Sequence, residues 1–258
     1  MQPCEVCFNR DLWLATFTSY STPPWPCPVC AAGTLALEKD TLLTRESFES
    51  KKDREPYPEI WDYDWTYGHF TALFQCTHAD CLSSVTACGD YRVTREDDEE
   101  VGERYDYVCT PTHFNPAPPM LRLPRGCTDA IANELTLAWG LYWSDPGASV
   151  NHIRTSLERL MDYLAIPPLS KLHHRIEAYR HKEPELGEHL MAIKWLGNSG
   201  SHGDDGLTKE DVLDALPLLE HVLGEVFEMR SKELNRLREK LLEKHDPKRA
   251  KKAPEVGA

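Results

Sequence analysis

The clearest chemistry in this sequence lies in its nine cysteines: Cys4, Cys7, Cys27, Cys30, Cys76, Cys81, Cys88, Cys109 and Cys127. Two pairs are short loops that offer a metal ion two thiolates each. One is Cys27-Pro28-Val29-Cys30; the other is Cys76-Thr77-His78-Ala79-Asp80-Cys81. Tetrahedral zinc takes four such thiolates at about 2.3 Å, and a site closed by four of them leaves no position for substrate. The predicted cofactor is therefore one structural zinc, held by Cys27, Cys30, Cys76 and Cys81. This set is preferred because each pair has its own β-type flank. Phe70–Gln75 leads into the second pair, and Gly33, just after the first, suits a turn into a strand. Other donors stand nearby. Cys4 and Cys7 with Cys27 and Cys30 make a second CxxC…CxxC spacing, and His78 or Cys88 is a substitute ligand for the second pair. Cys109 and Cys127 stand alone, as core or surface thiols do.

A second group of chemical interest is the polar stretch Lys194–Gly206, rich in glycine and carrying Asn198, Ser201 and His202. Amide, hydroxyl and imidazole groups together suit a phosphate or a nucleotide edge, with His202 as general acid or base. A structural turn, in which Asn198 and His202 bond to neighbouring backbone, meets the same pattern.

The elements that must position these groups divide the chain in two. Residues 1–110 read as a zinc-ribbon β module with a 45-residue excursion between the cysteine pairs. Residues 111–124 hold five prolines and read as a linker. Residues 125–245 are helical in pattern, and 246–258 form a disordered basic tail. Ile131, Leu135, Ala138 and Leu141 mark a first helix. Asp145-Pro146 reads as an N-cap with proline at the first helical position, opening a second helix with Val150, Ile153, Leu157, Leu160 and Met161 on one face. A third helix spans 169–179, and a fourth spans 184–196 with Gly197 as its C-terminal cap. Thr208-Lys209-Glu210-Asp211 resembles a capping box that opens the last helix. Pro217 should kink that helix or split off its first turn, and Leu234, Leu237 and Leu241 continue it as a basic extension. The fold class is α+β: a β-rich module followed by a helical bundle.

Composition narrows the function. The formal net charge is −13, and no apolar run approaches a membrane span, so a generic nucleic-acid coat and a membrane protein are both disfavoured. The charge is uneven: residues 230–258 carry ten basic and five acidic side chains. The acidic run Glu96–Glu100 reads as a solvated loop. With no export signal visible at the N-terminus, a reducing cytoplasm is expected, where thiols bind metal rather than pair.

Asn151–Leu160 with its Arg154 and Glu158, followed by Leu190–His202 containing Lys194-Trp195-Leu196-Gly197-Asn198, resembles the bacterial family called domain of unknown function 4145 over about residues 125–230. Trp25–Cys30 and Phe70–Cys81 look like the zinc-binding front of one subgroup. The family is similar to the HEPN superfamily of helical domains, many of them ribonucleases of toxin–antitoxin and anti-phage systems. Their signature is an Arg, a polar residue and then a His. Laid on Asn198 and His202, the Arg position falls on Gly197, and Lys194 is the nearest cation. The resemblance therefore implies a non-catalytic HEPN-like binding or scaffold protein in a bacterial defence setting, associated with RNA, a nucleotide or a protein partner. It also implies a homodimer through the helical half. The alternative is a metal-independent ribonuclease using His202, Asn198 and Lys194, with Arg154, Glu158 and Ser201 completing the pocket.

Overall fold

A computed structural model describes residues 8–98, 102–169, 171–199 and 206–245. The first half is an antiparallel sheet. Strand β1 (Leu35–Leu37) and strand β2 (Leu43–Glu46) lie end to end along one side of β3 (Tyr67–Cys76), which pairs with β4 (Ser84–Asp98), and β4 pairs with β5 (Gly102–Asn115). Along β3, alternate residues are buried and exposed, as the two-residue period of a half-covered sheet requires. Its buried face presents Phe70, Ala72, Phe74 and Cys76. A short helix α1 (Arg10–Leu14) precedes the sheet, and α2 (Phe48–Arg54) with a single 3-10 turn at Tyr63–Trp65 fills the excursion between β2 and β3.

The second half is helical: α3 (Asp129–Tyr142), α4 (Pro146–Tyr163), α5 (Leu172–Arg180), α6 (Pro184–Ser199), α7 (Lys209–Glu228) and α8 (Arg230–His245). The α+β assignment holds. Asp145 caps α4, accepting from the Ala148 N–H at 2.8 Å, with Pro146 in the first turn. The Thr208–Asp211 capping box forms in both directions at the start of α7. No helix among the described residues is long and apolar enough to cross a membrane.

Several expectations are corrected. The linker does not begin at residue 111: β5 runs on through Pro111 to Asn115. Pro111 stands opposite Gly89, where the register between β4 and β5 shifts, and a bulge on an edge strand tolerates a residue without an N–H. Nor are Glu96, Asp97 and Asp98 in a loop. They extend β4, with Glu96 opposite Arg104 and Asp97 opposite Glu103 in the ladder. Gly197 does not end α6, which continues to Ser199. Pro217 does not split off the first turn of α7, which runs unbroken over Lys209–Glu228 with Leu216 and Leu219 buried against its neighbours. The final extension is a separate helix, α8, since Met229 adopts a left-handed φ of 48° between α7 and α8.

The halves share one core. Trp25 is fully buried and touches Phe17, Phe74 and Phe114 of the sheet side as well as Trp143 at the end of α3, at ring distances of 5.1–6.2 Å. The buried Tyr142 hydroxyl donates to the Trp13 carbonyl at 3.1 Å, and Arg10 of α1 pairs with Glu210 and Asp214 of α7.

Candidate metal centre

The four predicted sulfurs come together. Cys27, Cys30, Cys76 and Cys81 offer donor atoms that all lie within 4.8 Å of one another. Cys27 Sγ is 3.8 Å from Cys81 Sγ, and Cys30 Sγ is 3.6 Å from Cys76 Sγ. A disulfide would need about 2.05 Å, so these are free thiols grouped as donors.

The local fold explains the grouping. The first knuckle is a turn between Pro26 and Thr34, which bridge one another; Cys27 N–H donates to the Gly33 carbonyl at 2.9 Å. The second is the turn joining β3 to β4, closed by Cys76 N–H donating to the Ser83 carbonyl at 2.9 Å. Leu35 of β1 stands opposite Cys76 of β3, so strand pairing fixes the distance between the knuckles. Thr77 N–H donates to the Thr34 carbonyl at 2.9 Å, and Thr34 N–H returns to the Thr77 hydroxyl at 3.1 Å. Each knuckle aims a backbone N–H at its first sulfur: Val29 at Cys27 and His78 at Cys76, both at 3.4 Å. Such donors stabilise thiolate over thiol.

Gly33 has a different role from the turn its sequence position suggests. The left-handed residue after the first pair is Ala31, with φ 51°, and Leu82 does the same after the second, with φ 48°. Gly33 is required by close approach: a Cβ there would sit 2.6 Å from Cys76 Sγ and 2.8 Å from the His78 backbone nitrogen.

The electrostatics are unequal. Burial pushes the Cys27 thiol up, but hydrogen bonds from Ser83 and from the Cys30 and Val29 amides outweigh it and hold the group at about 6. Amides of Gly33 and Ala32 lower Cys30. Burial raises Cys76 to about 12. A cation at the centre of the four would favour all the thiolates together. Sequence reasoning missed Ser83, whose hydroxyl lies 3.2 Å from both Cys27 Sγ and Cys81 Sγ; a serine two residues past the last cysteine carries no signal of its own. Cys88 lies on β4 outside this group, Cys109 is buried, and burial also raises its thiol to about 12. Cys4 and Cys7 lie outside the described residues.

The helical-half residues divide. Lys194 of α6 and Arg154 of α4 come together: Lys194 is nearly buried, and its ammonium is pushed toward the neutral form first by burial, then by Arg154 and Lys171. It has no carboxylate partner among the described residues; its Nζ lies 3.4 Å from the centre of the Trp195 ring. Arg154 pairs with Glu158 at 3.3 Å, but its buried Nε has no partner among the described residues. The same holds for His173 Nδ1 of α5, whose ring is 6.0 Å from that of Trp195. Gly197 lets α6 close on α4, since a Cβ there would lie 3.1 Å from Arg154 Cδ. Asn198 sits in the last turn of α6. Ser201 and His202 lie outside the described residues. Lys171 carries no signal in the sequence, because only the packing of α5 on α6 brings it near Lys194.

Comparison with protein families matches residues 137–240 to the family domain of unknown function, DUF4145, and residues 15–114 to a second domain of unknown function, DUF8608. The first match bears out the family resemblance seen in the helical motifs. The second spans the sheet and both cysteine knuckles. No curated protein and no solved structure matches the chain.

Proposed function

We propose that this chain is a non-catalytic binding or scaffold protein, built on one structural zinc and taking the phosphates of single-stranded RNA at the seam of α4, α5 and α6. Zinc is supported by size and donor type. A tetrahedron with metal–sulfur arms of about 2.3 Å has edges near 3.8 Å, and the paired sulfurs stand 3.6 and 3.8 Å apart. When bound, the ion supplies cross-linking between the knuckles and no chemistry on substrate. A reducing, cytoplasmic setting suits four free thiolates.

The single observation that supports the ligand is Lys194. Lys194 is buried as a residue, and its ammonium, beside Arg154 and Lys171 with no carboxylate partner among the described residues, is pushed toward the neutral form, so a bound anion would favour its charge. A phosphate oxygen would satisfy Lys194 Nζ, and the same group could accept from Arg154 Nε. The HEPN-like resemblance favours RNA over other anions, and it supplies the defence setting and the homodimer as further parts of the proposal. Gly197 stands where an Arg would serve cleavage, which favours binding over catalysis.

Two measurements test this. Elemental analysis should find one zinc per chain, lost in Cys76→Ser; a folded, zinc-free wild type would overturn the metal assignment. Fluorescence anisotropy with a labelled 20-nucleotide RNA should show binding that weakens about tenfold or more in Lys194→Gln and in Arg154→Gln. Its log–log salt slope should fall by about 0.7 for each phosphate that a variant no longer neutralises. Equal binding by wild type and both variants would refute the seam. Cleavage of that RNA by wild type but not by His202→Ala would replace the binding reading with a ribonuclease.

A further inference from the structure

A second donor cluster lies in the helical half, on elements that contribute nothing to the cysteine centre. Glu185 and His189 are four residues apart on α6, so they stand one above the other on the same face. His221 of α7 comes against His189 with ring centres 5.4 Å apart and planes at 78°. One donor atom from each of the three side chains lies within 4.8 Å of the other two. Glu185 and His221 are exposed and His189 is half-buried, so an ion from solvent reaches them without unfolding.

Neighbouring contacts do not account for the cluster. Among the described residues none of the three forms a hydrogen bond or an ion pair, and the edge contact of the two imidazoles is all that joins them. An exposed edge contact of this kind contributes only modestly. Two imidazoles and a carboxylate converging from two helices are a recognised donor set for divalent transition ions. Magnesium and calcium are disfavoured, since both prefer an all-oxygen shell. Three protein donors also leave at least one position for water.

We propose that Glu185, His189 and His221 form a second metal site, for a divalent transition ion of the zinc class, which ties α6 to α7. Leu196 lies with Asp211 and Ala215 near one end of this helix pair, while His189 meets His221 further along, so the two helices run antiparallel. The ion would clamp α6 to α7 where His189 meets His221. Glu185 and His189, two of the three donors, share α6. His221 follows only from the packing of α7.

The test is zinc uptake by the full chain, equilibrated with zinc and dialysed against a series of low free-zinc concentrations. Wild type should bind one equivalent more than the His189→Ala/His221→Ala double variant. His221→Ala alone should weaken that equivalent by more than about tenfold, a loss that even an outer-layer partner of a metal site causes. The difference between proteins reads this site whether or not the cysteine centre holds zinc, since that centre contributes equally to both. In the presence of chelator, wild type and His221→Ala should unfold at the same temperature; should His221→Ala fail to fold, His221→Gln takes its place. Equal uptake by wild type and the double variant would overturn the proposal, as would no uptake by wild type beyond the cysteine centre.

Discussion

Gly33→Ala tests the closure of the cysteine centre without removing a donor. The added methyl would lie 2.6 Å from Cys76 Sγ and 2.8 Å from both the Cβ and the backbone nitrogen of His78. An unstrained contact needs roughly 3.5–4.0 Å, so about 1 Å of separation must be found. Little can give way. Thr77 N–H donates to the Thr34 carbonyl at 2.9 Å, and Leu35 is in register with Cys76, so the opposing backbone is held on both sides of the clash. The sulfur and its knuckle must move together. Metal–ligand distances tolerate about 0.2 Å, so a displacement several times larger takes Cys76 out of the ligand sphere. Overpacking of this kind costs about 1–3 kcal/mol before any loss of metal. In a chain of this size that lowers Tm by several degrees. The assay is competition for zinc against a chromogenic chelator, with thermal unfolding measured on the same samples. Gly140→Ala is the control: it lies within α3, nothing lies within 4 Å of its added Cβ, and it should gain about 0.5–1 kcal/mol from helix propensity. Gly33→Ala protein that competes for zinc as well as wild type, with an unchanged Tm, would refute the close approach of the two knuckles.

Trp25→Ala should cost about 3–5 kcal/mol and lower both halves together, because this ring joins the sheet core to Trp143; separate unfolding transitions by circular dichroism, with the helical one unmoved, would contradict the shared core. Ala31→Gly should stabilise by up to about 1 kcal/mol in thermal unfolding, since a left-handed alanine is strained and glycine is not; a loss of stability would show that this strain is absent. The Asp211 carboxyl lies below the usual carboxylate range because the Thr208 hydroxyl and then its N–H donate to it. Its contribution is therefore complete above the unfolded value near 4 and is lost as pH falls through the lower folded value. Asp211→Asn should lower Tm at pH 6 by the equivalent of about 1 kcal/mol, as loss of a cap does, with the gap closing below pH 4. A gap that widens on acidification would have the wrong sign.

Much of the fold is legible in the sequence because local rules and tertiary packing agree. The three-and-four spacing of Val150, Ile153, Leu157 and Leu160 places all four against the core, and the Asp145 and Thr208 caps form where their side-chain chemistry predicts. The misses share a cause: the commonest local role of a residue gives way to a partner distant in sequence. Gly197 looks like a cap, but α6 needs it to approach Arg154. Gly33 looks like a turn residue, but a sulfur from 43 positions away lies against it. Pro111 looks like a linker, but an edge strand with a bulge accepts it.

The two candidate sites differ for the same reason. The four cysteines announce themselves because each knuckle supplies two donors within six residues, so the remaining unknown is only which pairs meet; β1 against β3 answers that. The Lys194 seam has no such internal signature. Its character comes from burial and from cations on three helices, and neither property exists until α4, α5 and α6 have packed. An ammonium that solvent would serve on an open helix is, in that packing, pushed toward its neutral form beside two other cations. Lys194→Met separates the two possibilities. A lysine tolerated only as packing should yield a chain at least as stable when its charge is removed, whereas one retained for a ligand should yield that same stability while RNA binding disappears. A stable variant that still binds RNA with its affinity intact would leave the seam without a function.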